Sequence, residues 1–553
     1  MHRADFLKPS YQHWPSYEIC RRELSMRGLA QIQILPYHIP MEAEQPLTNE
    51  IEPRERRKRI IIFCLCLIGA FRVFTFNAAF PLFNNVDEEA HFDLVYKYSQ
   101  GHLPCSGSEK FGRESLELIV LYGTWEYLEP EESPEDSAYQ PLWKHPNARE
   151  SSLFSEGLIR KQRYKNHEMG AFPIYYMVAG LWYRVEQLFG LGEGDLLYSI
   201  RFLNVPLFTL LVWFSYLFAR ALFPEKDFQQ IGLPLIVAFF PQDVFYSINS
   251  DALSPLLFAM SFFLLLQLHF ENKSNRYHLL TGLVVAATVL TKISNVTVLA
   301  LLCIIIVLKI RRLAGEKKVK AYLPRLATLV AAATIPIGIW LARNYVVLGD
   351  VTGSSDKIAQ LGWSLKPLSK LWDHPILTPG GLLFFLTELT KTFWRGEIVW
   401  HLERIASRTA DMFYIISTAF FILASALCIT FNIGKANKRY RFVLSMSFFV
   451  LILSVLMLAV LSMLYDFGKS WYPSQKLPYF VSGRLISGAL LPFLLIYIDG
   501  LERIFWWLKS RVNLLIILAI IAIGITLSEL SITSKVFKSP CNWYHMEQYR
   551  EPL

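Results

Sequence analysis

Three short stretches carry side chains whose types and spacing suit chemistry at a membrane face. The first is Asn85-Val86-Asp87-Glu88-Glu89-Ala90-His91-Phe92-Asp93, directly after an apolar segment. A carboxylate there is placed to act as general base for a hydroxyl nucleophile arriving at the membrane surface. The same residues also suit a helix start, where Asp and Glu cap free N–H groups and oppose the dipole. Composition leaves both readings open. The second stretch is His167-Glu168 followed by Pro173-Ile174-Tyr175-Tyr176. His167 and Glu168 either face the same site as the first stretch or form a pair on the surface. The third is Ser247-Ile248-Asn249-Ser250-Asp251-Ala252-Leu253, where Asp251 opens an apolar block. It reads as a helix cap or as an ionisable group held at the membrane for function. Single cations stand at the ends of other blocks: Arg201, Lys292, Arg343 and Arg484. Each can snorkel to lipid headgroups; together on one side they can hold a phosphate.

The elements that must position these groups are transmembrane helices. The chain has 553 residues, 53% hydrophobic and only 18% charged, with a mean hydropathy of +0.31. A soluble chain carries charge on nearer a quarter of its residues. The apolar residues fall in blocks of roughly 17–25, the length that crosses about 30 Å of hydrocarbon. These blocks lie near 60–82, 171–190, 198–222, 229–247, 252–270, 278–292, 294–310, 322–345, 411–431, 441–463, 480–499 and 512–528. The reading is therefore an all-α polytopic membrane protein with about 11–12 transmembrane segments. Aromatic residues are plentiful, as membrane interfaces require. The net charge of +9 lies largely in basic runs beside apolar blocks, which is the positive-inside pattern and not a nucleic-acid footprint.

Those runs set an expected topology. Arg54–Arg59, Lys309–Lys320, Lys435–Arg441 and Arg503–Arg511 belong in the cytoplasm. Residues 1–58 read as a cytoplasmic extension, 59–530 as the membrane domain and 531–553 as a short tail. Within the domain, 83–170 forms a large first outer loop and 349–410 a second. The parity of crossings closes if one block between 171 and 247 does not cross, with 171–190 the foremost candidate. Asp87–Gln100 has Ala90, Leu94 and Tyr98 at helical spacing, which predicts an amphipathic helix in the interface. The seven cysteines show no metal-ligand spacing.

Taken in order, the motifs resemble the GT-C superfamily of membrane glycosyltransferases, which includes protein O-mannosyltransferases and the aminoarabinose transferase of lipid A. Val86-Asp87-Glu88-Glu89-Ala90-His91-Phe92, Tyr98 and Gly101-His102-Leu103-Pro104 look like the start of that superfamily's first outer loop. Glu168 to Pro173-Ile174-Tyr175-Tyr176 is similar to a second element, with Phe172 in place of its first proline. Asn249-Ser250-Asp251-Ala252-Leu253 and Leu290-Thr291-Lys292, the latter after Gly282, match further elements. So do Arg343-Asn344 with Gly349-Asp350, and Gly483-Arg484, where Leu485 replaces a tyrosine. The resemblance spans roughly residues 60–500 and rests on order and placement.

It implies sugar transfer with inversion from a polyprenyl-phosphate donor to a lipid, glycan or protein acceptor on the extracytoplasmic face of the cell membrane. Asp87 would be the general base, assisted by Glu88. His91, Glu168 and Asp251 would position the acceptor or the base. Arg201, Lys292, Arg343 and Arg484 would bind the donor phosphate and stabilise its developing charge. Some GT-C enzymes use a divalent cation and others do not, and acidic clusters suit hard cations; no other cofactor and no nucleic acid is implied. Two other classes fit the bare pattern of helices: a transporter or flippase, and a non-glycosyl membrane transferase or ligase. The first should show internal repeats and helices broken in mid-membrane, and neither is found. The second would centre its outer face on His or Arg.

Overall fold

Long apolar runs closed by short polar caps give eighteen α-helices among the described residues of a computed structural model. It describes residues 47–84, 87–124, 141–145, 147–401, 403–431, 437–468, 473–509 and 512–549. The first forty-six residues of the N-terminal extension, and Asn85 and Val86 of the first motif, lie outside them. Glu55–Leu553 forms one unit by its internal contacts. The helices are α1 (Leu47–Ala79), which enters this unit at Glu55, α2 (Glu88–Ser99), α3 (Arg113–Tyr122), α4 (Ser152–Lys161), α5 (Pro173–Gln187) and α6 (Glu193–Phe202). They continue as α7 (Asn204–Leu222), α8 (Asp227–Ala238), α9 (Ser254–Phe270), α10 (Asn275–Val289), α11 (Thr297–Gly315) and α12 (Val319–Leu348). The last six are α13 (Ser355–Gln360), α14 (Pro379–Arg395), α15 (Arg408–Thr430), α16 (Lys438–Leu464), α17 (Leu490–Trp507) and α18 (Leu514–Phe537). The residues at their starts explain the boundaries. Ser151, Ser274, Thr378, Ser407, Asn437 and Asn513 each accept a bond from a first-turn N–H. Proline, which lacks the N–H that a first turn leaves unpaired, opens α5 and α14.

All twelve apolar blocks are helical. Among the described residues nine helical segments are long and apolar enough to cross a membrane: Pro53–Ala79, Glu193–Leu222, Ser250–Phe270, Ile293–Gly315, α12, α15, α16, Gly483–Trp507 and α18. The chain is an all-α polytopic membrane protein. The other three blocks are the short helices α5, α8 and α10, of 15, 12 and 15 residues.

Ion pairs between helix ends sort the bundle into two ends. At one end Lys58 pairs with Asp227 at 2.7 Å and Lys226 with Glu502 at 3.0 Å, while Lys309 donates to the Glu271 carbonyl at 3.0 Å. This is the end that holds Lys58, Lys309, Arg439 and Arg503 of the basic runs. At the other end Lys292 pairs with Asp251 and Arg201 with Glu88, and Ile174 N–H donates to Leu290 O at 3.0 Å. Asp251 and Lys292 are neighbours although α9 and α10 lie between them, so α10 returns the chain to the end where α9 began. By the same reasoning α8 runs from the Asp227 end to the Asp251 end. The start of α5 meets Leu290 and its Trp182 donates to Ser199 O at 2.8 Å, so α5 stays at the second end. Among the described residues eleven helical passages then connect the two ends, and the block at 171–190 is the one of the twelve that makes no passage.

The expected interfacial helix at 87–100 is α2, and it is not laid on a surface. Ala90, Phe92, Leu94 and Val95 are buried, and so are His91 and Asp93 on other faces. Polar side chains beneath the loop account for this: Asn166 Nδ2 donates to Ala90 O at 2.9 Å and to Asp93 Oδ2 at 2.8 Å, and Gly112 N–H donates to Asp93 Oδ1 at 2.8 Å. The tail after α18 packs against the second end, where Trp543 Nε1 donates to Asp195 at 3.0 Å and Tyr544 donates to Thr75 O at 3.2 Å.

Candidate functional site

The conformation of Asp87 bears on both readings of its motif. It precedes α2 with φ 66° and ψ 0°, and its carboxylate caps no helical N–H. Left-handed backbone is uncommon outside glycine, although Asp tolerates it better than most residues. The turn aims the carboxylate away from the helix it opens. Its Oδ1 lies 3.0 Å from His167 Nε2, which donates when it carries the proton, and its Oδ2 accepts from Arg484 at 3.1 Å. Glu168 stands beside this pair, 3.8 Å from His167 Nε2, and is ion-paired with Lys357. Asn166 fixes the His167–Glu168 turn by accepting the Glu168 N–H at 2.8 Å while bound to α2.

Charges are tightly coupled here. Burial pushes the Asp87 carboxyl up, but the His167 hydrogen bond and the positive charges of Lys357 and Arg484 outweigh it and hold the group well below its usual range. Burial likewise opposes ionisation of Glu168, and Lys357, His91 and His167 pull it down to about 2. His91 is buried, with Nδ1 2.7 Å from the Tyr176 hydroxyl. Burial lowers its pKa to about 4 against the pull of Glu168 and Asp87, so the ring is neutral at physiological pH.

Arg484 links this group to a second acidic set. Asp87, Asp251 and Glu397 all lie within its electrostatic reach. Asp251 is buried and paired with Lys292, while Asn249, not Asp251, caps the following turn through the Ala252 N–H. Asp243 accepts the Glu397 N–H at 2.8 Å, and Ser482 donates to Glu397. The Nε of Arg484 is buried without a hydrogen-bond partner. Buried donors are rarely left so, and this one suits an incoming anion.

A family profile of predicted membrane proteins, DUF2142, matches residues 67–470. The chain belongs to this family. No curated protein matches the chain. Among solved structures it is similar to the crystal structure of the Archaeoglobus fulgidus oligosaccharyltransferase in complex with Zn and sulfate, at 16% identity and a TM-score of 0.31. That match covers 66% of this chain and 44% of the other, so the chain spans less than half of that enzyme's length.

In this DUF2142 chain the site residues expected from sequence divide into two groups. Asp87, Glu168 and Arg484 come together directly, His91 lies behind them against Tyr176, and Asp251 and Lys292 reach them through Arg484. Glu88 and Arg201 do not join them. Both are fully buried and form a bidentate pair with Nε–Oε1 of 2.7 Å and Nη2–Oε2 of 2.6 Å. Arg201 also donates to the carbonyls of Asn77 and Pro81 and to Phe80 O, and Glu88 accepts the Ile248 N–H at 2.9 Å. The expectation of a catalytic Glu88 and a phosphate-binding Arg201 is corrected accordingly. With every strong donor on Arg201 committed, the pair is a buried bolt between α1, α2, α6 and the 243–251 segment. Arg343 is also engaged elsewhere: it donates to Pro104 O and to Asn344 Oδ1 at 3.0 Å and lies over Trp340. It holds the first loop onto α12.

Sequence reasoning missed Lys357, the partner of Glu168, and the Asp243–Glu397–Ser482 set. Lys357 sits in α13 within a polar stretch, and no neighbouring apolar block or motif marks it. Asp243 had a usable signal, being a carboxylate inside an apolar block.

Asp87, His167 and Glu168 offer ligand atoms within 4.8 Å of one another, which raises a divalent cation. The donor set does not fit one. Arg484 is bonded to Asp87 and Lys357 to Glu168, so a metal ion would enter this arrangement against two positive charges. The carboxylates here are neutralised by side chains.

Proposed function

We propose that this protein is a membrane glycosyltransferase that moves a sugar from a polyprenyl-phosphate donor to a hydroxyl acceptor at the Asp87 end of the bundle. That end is extracytoplasmic on this reading, because the opposite end carries the basic runs. The observation that carries the proposal is the shared carboxylate of Asp87, turned from its capping position and held between His167 and Arg484. The ordered GT-C motifs supply the reaction class.

The chemistry follows from the charges. With Arg484 on it, Asp87 is ionised but only weakly basic. A lipid phosphate offers Arg484 a better bidentate partner, and its unpartnered Nε is free to take one phosphate oxygen. As the guanidinium turns to the phosphate, Asp87 regains basicity. The acceptor O–H then donates to Asp87 while its oxygen attacks the anomeric carbon. The bond from that carbon to the phosphate oxygen breaks, and the lipid phosphate leaves with the electron pair, stabilised by Arg484 and Lys292. Inversion follows from attack opposite the leaving group. His167 orients Asp87, and Glu168 with Lys357 fixes His167.

The test is transfer of labelled sugar in membranes containing the overproduced chain, with polyprenyl-phosphate sugars supplied one at a time. Label should leave the donor only in membranes that hold the protein. Arg484→Lys keeps the charge but loses the planar fork, so it should raise the donor concentration needed for half-maximal transfer while protein abundance stays normal. Absence of transfer from every lipid-phosphate sugar would remove the proposal.

A further inference from the structure

The second polar stretch, 349–410, has an apolar exterior in part. Its helix α14 buries Phe385, Leu389 and Phe393 on one face, yet leaves Leu382, Leu383 and Leu386 exposed on another. A helix that borders water carries polar residues on its outward face. Here the charged residues Glu388 and Lys391 pair with each other at 2.6 Å to the side of those leucines. Before α14 in the chain, Leu368 and Trp372 are exposed too, each at 77%.

Contacts with the membrane spans fix the level of these side chains. Ser364 and Leu365 pair antiparallel with Asp466 and Tyr465, directly after α16 ends, and Lys366 N–H donates to Leu464 O at 2.8 Å. Just before α14, His374 Nε2 donates to Pro478 O at 2.9 Å, and early in the helix Phe384 packs on Tyr479 with ring centroids 5.0 Å apart. At its last residue Arg395 makes a bidentate pair with Asp411, in the first turn of α15, at 2.7 and 3.1 Å. α15, α16 and Gly483–Trp507 are all long and apolar enough to cross the membrane. Both ends of α14 therefore lie where spans reach the Asp87 end. The helix runs along that boundary for about 25 Å and crosses nothing. An apolar face at that level is buried among lipid headgroups and upper acyl chains, where tryptophan is also enriched.

The inner side of α14 holds the site. Thr392 Oγ1 accepts the Gly483 N–H at 3.0 Å and donates to Val481 O. A side chain on Gly483 would strike the Phe393 backbone, so the chain leading into Arg484 is pressed onto the helix. Gly396, the next residue after α14, packs on Asp243 in the same way.

We infer that this loop is seated in the membrane interface at the Asp87 end, with phospholipid as its partner, and that α14 thereby holds Arg484 at headgroup depth. The depth role rests on the proposed contact between Arg484 and a lipid phosphate. The seating does not.

The test uses the full-length chain in phosphatidylcholine vesicles, with phospholipids brominated near the headgroup or near the chain ends as quenchers of tryptophan fluorescence. The signal of Trp372 is that of the parent minus that of Trp372→Phe. It should be quenched by lipid bromines, more by shallow than by deep ones, and be shielded from iodide in the water. Leu383→Trp adds a reporter on α14 that should behave alike. Quenching by iodide but not by lipid would place the face in water, and quenching by neither would place it against protein, such as a second copy of the chain. Either result overturns the inference. Leu382→Glu with Leu386→Glu changes exposed residues only. Combined with the α14 reporter, it should abolish lipid quenching at an unchanged thermal midpoint. It should also raise the donor concentration needed for half-maximal sugar transfer while leaving the maximal rate in place. Unaltered donor dependence once the quenching is lost would overturn the depth role. Lipid quenching in a parent protein that transfers no sugar would count against the glycosyl-transfer reading and leave the seating intact.

Discussion

At the residue scale, the site is governed by which charges are already satisfied. Asp87 and Glu168 both have cationic partners that hold them ionised and lower their pKa in the fold, to about 2 for Glu168, so their contribution to stability is present above the usual carboxylate range and is lost as pH falls through the lowered folded values. His91 behaves oppositely. Its pKa near 4 in the fold, against about 6.5 in the unfolded chain, means the unfolded state binds more protons between those values. Stability is therefore lost as pH drops through that window, by roughly 2 kcal/mol at pH 5. Thermal unfolding at pH 7.5 and pH 5 should show this drop in the parent, and a clearly smaller one in His91→Gln, which can still bond Tyr176. An equal drop in both would mean that His91 is not the neutral buried group described. The individual residues Asp87, Glu168, Arg484 and Asp251 were legible in the sequence because each sits in an ordered motif at the end of an apolar block. Their partnerships were less so. Glu88 and Arg201 read as site residues by type and position, and only the fold, which brings the start of α2 to the end of α6, reveals that they bond one another. Lys357 carries no sequence signal at all, since a lysine in a polar loop is ordinary.

At the element scale, close helix approach places the cations. In α10, a Cβ on Gly282 would lie 2.6 Å from both the Cβ of Ala332 and the Leu329 carbonyl of α12. Only glycine permits that contact, in the manner of small-residue packing between membrane helices. α10 leads straight into Leu290 and Lys292, so its seat on α12 sets where Lys292 meets Asp251. Gly282→Val should cost about 1–3 kcal/mol through overpacking and lower transfer together with the thermal midpoint. Gly338 of α12 has nothing within 4 Å of its would-be Cβ, so Gly338→Ala is the matched control and should leave both unchanged. A Gly282→Val protein with a normal midpoint would contradict the packing account. Every apolar block in the sequence became a helix because periodicity and length are local properties. The fate of the shorter blocks was less legible: α5, α8 and α10 are alike in length, and only long-range pairs such as Asp251–Lys292 separate the two that return the chain from the one that does not.

At the scale of the whole molecule, eleven passages among the described residues place Lys58, Lys309, Arg439 and Arg503 of the basic runs at one end and Asp87, Glu168, Lys357, Arg484 and Lys292 at the other. Single cysteines with a membrane-impermeant maleimide read this out in intact cells. Ser106→Cys should be labelled from outside, and Lys318→Cys only after the membrane is opened. The reverse order would invert the topology and remove an extracytoplasmic site. The amphipathic reading of 87–100 shows what sequence alone does not reach here. A helix that is polar at Glu88, His91 and Asp93 looks half-solvated, yet each group is satisfied inside the protein: Glu88 by Arg201 of α6, His91 by Tyr176 of α5 and Asp93 by Asn166 and Gly112 of the first loop.

The central claim is that Asp87 is a base and not a cap, and the most direct measurement is sugar transfer by Asp87→Asn against protein level. Asn caps a helix about as well as Asp, so a capping role predicts normal abundance and normal transfer. A base predicts normal abundance with transfer reduced by about 10²–10⁴-fold. Glu88→Gln calibrates the comparison. It leaves Arg201 buried beside a neutral partner, a change that typically costs about 3–5 kcal/mol, so it should reduce the amount of folded protein more than the rate per molecule. Full transfer in Asp87→Asn at normal abundance would contradict the account.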